Sequence, residues 1–574
     1  MRYLIASVIL FTLYSCANQT APNGGPKDED PPILISSNPK NQQINVTGNE
    51  ITLEFNEYVK LNKASEQIII SPRIENELEI TSRKNIVYLK YKDDLPDSTT
   101  FTINLREGVQ DITEGNSPEN FKLAFSTGPY LDSLTITGSA RDRFTQDPVA
   151  DYSIFLYNAE DTTSIFEGQP LYFTKTDQLG QFTLSNLKYG IYDLYAVQDL
   201  NKNLLLDFKS ESYAFLDSTL ILQDTTTQDI TLEAYYLNAL PIELKSARQN
   251  GTIFEIKYEK YIKEYNLITG DSSKIYTNFL DDKHRSIIVY DHDFLSDSLL
   301  TYINVQDSLD YTRLDTVYVK FEETIRKPKP LQSTASLDQV FATDGVLNGK
   351  ITFNKPVVSY NFDSVYLYLD SANKIPVDTT SILTKNEYND IFQLHYKIPT
   401  ELFKQKQEME SVSKPPATLK ASIQKDSITS DSTKKKITPP SKPHLYLGKG
   451  AFVTVDYDSS QRQEIDLKFA KLEDYAVLFI DVQSTQTHYI IQLLDKNFNV
   501  IQEKRNNPEF SFNKISPGEY YLRTIIDENN NGYWDTGDIY TRTLPETIIY
   551  YKTSDDNRNI ILRANWETPI ILEF

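Results

Sequence analysis

The chain predicts an all-β fold made of tandem β-sandwich modules. Three observations carry that expectation. Aromatic residues are abundant, with 38 Tyr and 28 Phe in 574 residues, and they suit pleated, half-buried surfaces. Apolar and polar residues alternate in short runs such as Ile51-Thr52-Leu53-Glu54-Phe55, the period of a strand with one face on a core. Asn, Asp and Gly turns separate those runs, as expected of sandwiches. No long segment carries a helical stripe.

The chain opens with Met1-Arg2, an apolar run from Tyr3 to Tyr14, and Ser15. Residues 1–15 read as a secretory signal, too short for a permanent membrane-spanning helix. Cys16 follows and is the only cysteine. Leu13-Tyr14-Ser15-Cys16 resembles a bacterial lipobox, although Tyr14 departs from the usual small or aliphatic residue. The resemblance implies that Cys16 is acylated, becomes the first mature residue and anchors the chain to a membrane outside the cytoplasm. No cysteine is then left for a structural disulfide.

Residues 16–32 form a tether whose Asn, Gly, Pro and charged residues cannot build a core. Its Lys27-Asp28-Glu29-Asp30 run resembles the acidic signal that sends Bacteroidota lipoproteins to the outer face of the outer membrane. In that family the signal lies closer to the cysteine. The implied location is the outer membrane, with the cell-surface face favoured. Removing the leader leaves 57 basic against 80 acidic residues, a net charge of −23. That balance is poorly suited to nucleic acid or anionic headgroups and serves solubility.

Residues 33–128 carry alternating runs at Ile51–Phe55, Ile86–Tyr91 and Phe101–Leu105. Ser37-Asn38-Pro39, Ile51–Glu57, Asp111-Ile112-Thr113-Glu114-Gly115-Asn116 and Phe125-Ser126-Thr127-Gly128 resemble the bacterial Ig-like module of surface-layer type. That resemblance implies an architectural or adhesive role and brings no enzymatic residues. Residues 131–235 form a second type, with Gly180 at a turn and Gly190-Ile191-Tyr192 leading into an Asp/Asn loop. It resembles the prealbumin-like, carboxypeptidase regulatory-type sandwich. Residues 236–325 read as a β-sandwich of unclear type. Residues 330–470 repeat the Ig-like signature, Ile351-Thr352-Phe353-Asn354 echoing the strand at 51. Inside this module, residues 405–443 are rich in Lys, Ser, Thr and Pro and read as a disordered loop insertion. Residues 472–574 return to the prealbumin-like pattern. Gly190 and Gly518 each precede a Tyr by two positions, an Asp by nine and a second Asp by seventeen. The chain is therefore a duplicated pair of module types.

The sharpest constellation is Asp527 to Asp538. Counting from Asp527, oxygen-bearing side chains fall at Asn529, Asn531, Asp535 and Asp538, with the Tyr533 carbonyl at position 7 and Gly532 at position 6. This is calcium-loop spacing, because a hard cation needs six or more oxygens directed inward from alternate residues. Position 12 is Asp instead of the usual Glu, and a strand precedes the loop. The alternative is a turn held by side-chain to backbone hydrogen bonds. Asp199, Asn201, Asn203 and Asp207 keep the spacing as a weaker calcium candidate, with Leu204 replacing Gly and Ser210 at position 12 beside Glu211.

No catalytic site is expected. The five histidines are scattered, and Asp291-His292-Asp293 would place its carboxylates on the opposite strand face from the imidazole. Phosphate-cradling glycine loops, nucleophile elbows and HExxH are absent. The sequence reads as a non-catalytic outer-membrane lipoprotein with a lipid anchor on Cys16 and no evident small-molecule substrate. Its expected partners are the outer membrane and other outer-membrane proteins. It would serve as a structural or accessory subunit of an envelope complex, with β-barrel assembly or protein export favoured. The alternatives are a glycan- or peptidoglycan-binding surface protein and a nutrient-uptake accessory. One prediction follows from composition. Residues 405–443 bury too little apolar surface to offset chain entropy. Limited proteolysis should cut there first and leave both fragments associated; a protected segment would contradict this.

Overall fold

The structure is a computed structural model. It describes residues 30–399 and 442–574, apart from residues 75, 119–120, 224–227, 272–276, 282, 291–297, 324–325, 328, 342, 370–373, 379–382, 387–388 and 556. The leader, Cys16, nearly all of the tether, Asp291-His292-Asp293 and almost all of the 405–443 segment lie outside the described residues. No described helix is long and apolar enough to cross a membrane.

The described chain is nearly all β and is built as tandem sandwiches. In the first module, strands Leu34–Asn38, Glu50–Phe55, Ile86–Tyr91 and Leu78–Arg83 form one sheet in that spatial order. Ile69–Ser71, Thr100–Asn104 and Leu123–Ser126 form another. Alternation explains the register: Ile51, Leu53 and Phe55 are buried and join Val87, Leu89, Phe101 and Phe125 in one core.

The second module orders seven strands as Tyr172–Lys175, Ser153–Asn158, Gly190–Val197, Ser212–Phe215, Gln228–Tyr236, Leu134–Asp142 and Gln181–Leu187. An eighth, Leu220–Leu222, pairs with Gly190–Val197. Its first and last strands in chain order pair in parallel, Ile136 opposite Gln228. The fifth module repeats this device, Val477 opposite Glu567 in parallel.

The third module is a sandwich of two sheets. Leu244–Asn250, Ile253–Tyr258, Ser286–Tyr290 and Thr277–Leu280 form one, and Ile262–Thr269, Leu299–Asp307 and Thr312–Val319 form the other. Lys260 and Asp307 make a buried ion pair of 2.6 Å in this module, at 8% and 0% side-chain exposure. In the fourth module, Phe392 and Leu394 share one core with Leu445 and Leu447. Strands on both sides of the 405–443 segment therefore build the same sandwich.

The chain divides into two compact units. The first holds residues up to Asn238 together with Trp534–Glu546; the second holds Ala239–Tyr533 and Thr547–Phe574.

Asp111 shows how these modules close their turns. It is fully buried, and its carboxylate accepts the backbone N–H groups of Glu114, Gly115 and Asn116 and the Thr113 hydroxyl at 2.6–3.1 Å. Burial alone would raise its pKa, but these four donors outweigh it and hold the carboxyl at about 2. The ordinary unfolded value is about 3.9. The stabilisation is therefore fully present above about pH 4 and is lost as pH falls toward 2. Asp111→Ala leaves three half-buried backbone donors without this partner and should cost about 2–3 kcal/mol in denaturant unfolding of the first module. The wild-type advantage over Asp111→Ala should shrink between pH 4 and 2; a pH-independent difference would contradict the assignment.

Candidate functional site

The two Asp/Asn loops are delivered by the same local device. Tyr192 Oη donates to the Lys188 carbonyl at 2.8 Å, and Tyr520 Oη donates to the Ser516 carbonyl at 2.7 Å. Each ring folds back over a glycine: a Cβ on Gly190 would lie 3.2 Å from the Tyr192 ring, and one on Gly518 would lie 3.5 Å from the Tyr520 ring. The Gly-x-Tyr pattern thus fixes the strand that ends at each loop.

In the fifth module, Asp527 is 2% exposed. Its Oδ1 accepts Asn531 N–H at 3.0 Å and its Oδ2 accepts Gly532 N–H at 2.9 Å. Asn529 Oδ1 also accepts Asn531 N–H, and Asn531 Oδ1 accepts Tyr533 N–H. Asn530 and Gly532 take positive φ angles of 56° and 80° to direct those donors inward.

The second module reproduces this bond for bond. Asp199 accepts Asn203 N–H and Leu204 N–H, both at 3.1 Å; Asn201 Oδ1 accepts Asn203 N–H; and Asn203 Oδ1 accepts Leu205 N–H. Lys202 and Leu204 carry positive φ at the positions of Asn530 and Gly532. The substitution of Leu for Gly at position 6 therefore preserves the turn.

A buried glutamate completes each loop. Glu211 is fully buried, accepting Leu200 N–H and Asp207 N–H at 2.9 Å. Burial pushes its carboxyl up, the Asp199 charge pushes the same way, and the backbone donors oppose both. Glu546 does for Asp535 what Glu211 does for Asp207, accepting Asp535 N–H at 3.0 Å. The sequence pattern stopped at position 12, where it noted Glu211 only as a neighbour of Ser210, and missed Glu546. Their signal is a Glu that recurs after each second Asp, offset by a longer insertion: three residues separate Asp207 from Glu211, and ten separate Asp535 from Glu546.

That insertion divides the expected ligands between the two units. Asp527, Asn529, Asn531 and Tyr533 belong to the second unit, whereas Asp535 and Asp538 belong to the first. Asp538 Oδ1 accepts Tyr540 N–H at 2.8 Å. Among the described residues, no group of three or more His, Cys, Asp or Glu is placed to hold a metal. His284 stacks on Tyr261, His395 bonds to Asn348, and His444 stacks on Tyr368. These rings serve packing and local hydrogen bonding.

Residues 28–127 match the bacterial Ig-like domain family. No curated protein matches the chain. Among solved structures, the chain is similar to the Bacillus anthracis TIE protein at 9% identity, covering 96% of this chain and 75% of that one, with a TM-score of 0.13. It is similar to BcpA, the major pilin subunit of Bacillus cereus, at 10% identity, covering 77% and 99%, with a TM-score of 0.12. Domains 1–6 of the surface layer protein SbsC align at 10% identity over 92% and 67%, with a TM-score of 0.14. Scores that low carry no argument about this chain's activity.

Asp527→Ala and Asp199→Ala each take the acceptor from one backbone N–H group, that of Gly532 or Leu204, and one of two acceptors from another, that of Asn531 or Asn203. Each should cost about 1–3 kcal/mol in unfolding of the full chain. The turn geometry predicts the same loss in calcium and in chelator. A loss confined to calcium-containing buffer would instead assign the loop to a bound cation.

Proposed function

We propose that this chain is a non-catalytic, lipid-anchored structural or accessory subunit of a cell-envelope complex, held on the outer membrane and facing outward. The observation that carries the reading is the junction between leader and modules. A unique Cys16 follows an apolar run and precedes a stretch rich in Asn, Gly, Pro and charged residues, after which β-sandwiches with their own cores begin. The Ig-like match over residues 28–127 fits an architectural role. Buried ionisable groups support it too, because Asp111, Glu211, Asp307 and Asp527 are engaged with backbone donors. β-Barrel assembly or protein export is the favoured setting, since a string of sandwiches suits docking against other envelope proteins.

A second reading, glycan or peptidoglycan binding, is favoured by one surface. Tyr302 and Tyr318 are 40% and 66% exposed on the outward face of the sheet that holds Leu299–Asp307 and Thr312–Val319, and exposed tyrosines stack on sugars. Tyr302→Ala with Tyr318→Ala would abolish co-sedimentation with insoluble peptidoglycan under that reading and leave it unchanged under the first.

Cys16→Ala should move the protein from the outer-membrane pellet to the soluble fraction and remove its lipid. Pull-down of the wild type in mild detergent should then recover outer-membrane β-barrel or export proteins at stoichiometric levels. A Cys16→Ala protein that still pellets and carries lipid would overturn the anchor. A wild type recovered alone would overturn the subunit role.

A further inference from the structure

The segment Trp534–Glu546 is counted with the first unit, where it is held by the second module through side chains the Asp/Asn pattern does not use. The segment is closed by its own bonds. Glu546 N–H donates to the Asp535 carbonyl at 3.1 Å, Trp534 Nε1 donates to the Glu546 carbonyl at 3.0 Å, and Asp538 and Thr543 bridge each other. Gly537 takes φ 66°, and a Cβ there would lie 2.4 Å from the Thr543 carbonyl. The segment is thus a preformed loop that displays Trp534, Tyr540 and Arg542.

Each displayed group meets a matching group of the second module. Trp534 packs edge-on against Phe144 and Tyr235 at centroid distances of 4.8 and 5.9 Å. Tyr540 packs against Phe166 and Phe208 at 5.2 and 6.0 Å. Arg542 pairs with Asp193. Main-chain groups are read as well: Arg143, 6% exposed, donates to the Pro545 and Glu546 carbonyls at 2.6 Å each, and Tyr235 Oη donates to the Thr536 carbonyl at 2.8 Å. Glu233 orients Arg143 from behind at 2.9 Å. Two aromatic anchors, one charge pair and three carbonyl contacts make a recognition site by the measures that mark binding hot spots.

We propose that this face of the second module is a peptide-binding site and that Trp534–Glu546 is its tethered ligand, a latch that a free loop of the same display competes with. Tethering gives the chain's own segment a high effective concentration, and preorganisation lowers the ordering cost of docking.

The test uses the full chain and a labelled, end-to-end cyclised peptide spanning 534–546. Trp534→Ala with Tyr540→Ala removes both aromatic anchors of the tethered segment, weakening its hold without altering the walls of the site. That variant should bind the peptide saturably and at least tenfold more tightly than the unaltered chain does. Adding Arg143→Ala should abolish the binding. Equal affinity for both chains, or binding that survives Arg143→Ala, would overturn the proposal. Hydrogen exchange gives a second readout that does not depend on the double variant. Asp193→Arg should speed exchange across residues 536–545, and pairing it with Arg542→Asp should restore protection. Unchanged exchange in Asp193→Arg, or no recovery in the pair, would also overturn it.

Discussion

The structure depends on carboxylates that take up the backbone N–H groups left over where strands end. A short strand ends in a turn whose amides have no ladder partner, and burying such amides unpaired costs about 1–3 kcal/mol each. This chain answers repeatedly with one Asp whose carboxylate reaches residues two to five positions ahead. Asp111, Asp199, Asp307 and Asp527 do so in four different modules. Asp177, Asp281 and Asp495 do so at more exposed turns. The formal charge of −22 therefore has a structural component. Many of the acids close turns, so charge excess alone is a poor guide to a cationic partner.

The duplicated modules show how that device diverges. The second and fifth modules keep the folded-back tyrosine, the Asx bonds and the closing glutamate. They differ in what lies between the second Asp and that glutamate. In the second module the connection is Phe208-Lys209-Ser210, and Phe208 packs against Tyr213 at 5.4 Å within the module. In the fifth it is lengthened to Thr536–Pro545, and Tyr540 in the longer loop packs against that same Phe208. A fixed base with a variable loop is the way loops take on recognition while the scaffold stays intact.

Much of this was legible in the sequence. Ile51, Leu53 and Phe55 announced a strand and its buried face because alternation is a local property. The Gly-x-Tyr spacing announced the duplication because the tyrosine bonds only four residues back. The Asp527 loop was readable as oxygen spacing, and the same spacing suits a turn and a cation. The folded backbone shows the turn's own bonds, which the spacing alone could not place. Glu546 was missed because an insertion hides its match to Glu211. The contacts of Trp534, Tyr540 and Arg542 were beyond reach for another reason. Tyr235 and Thr536 are 301 positions apart, and no periodicity in the chain encodes that pairing.

Many of the described carboxylates are thus engaged in holding turns. The most direct measurement is native-state hydrogen exchange of four amides, those of Asn203, Leu204, Asn531 and Gly532, in chelator and in calcium. Exchange should be slow at all four in chelator and unchanged by calcium, because the Asp199 and Asp527 carboxylates already hold them. Fast exchange in chelator that calcium slows would contradict this and make the cation, not the carboxylate, the element that closes the turn.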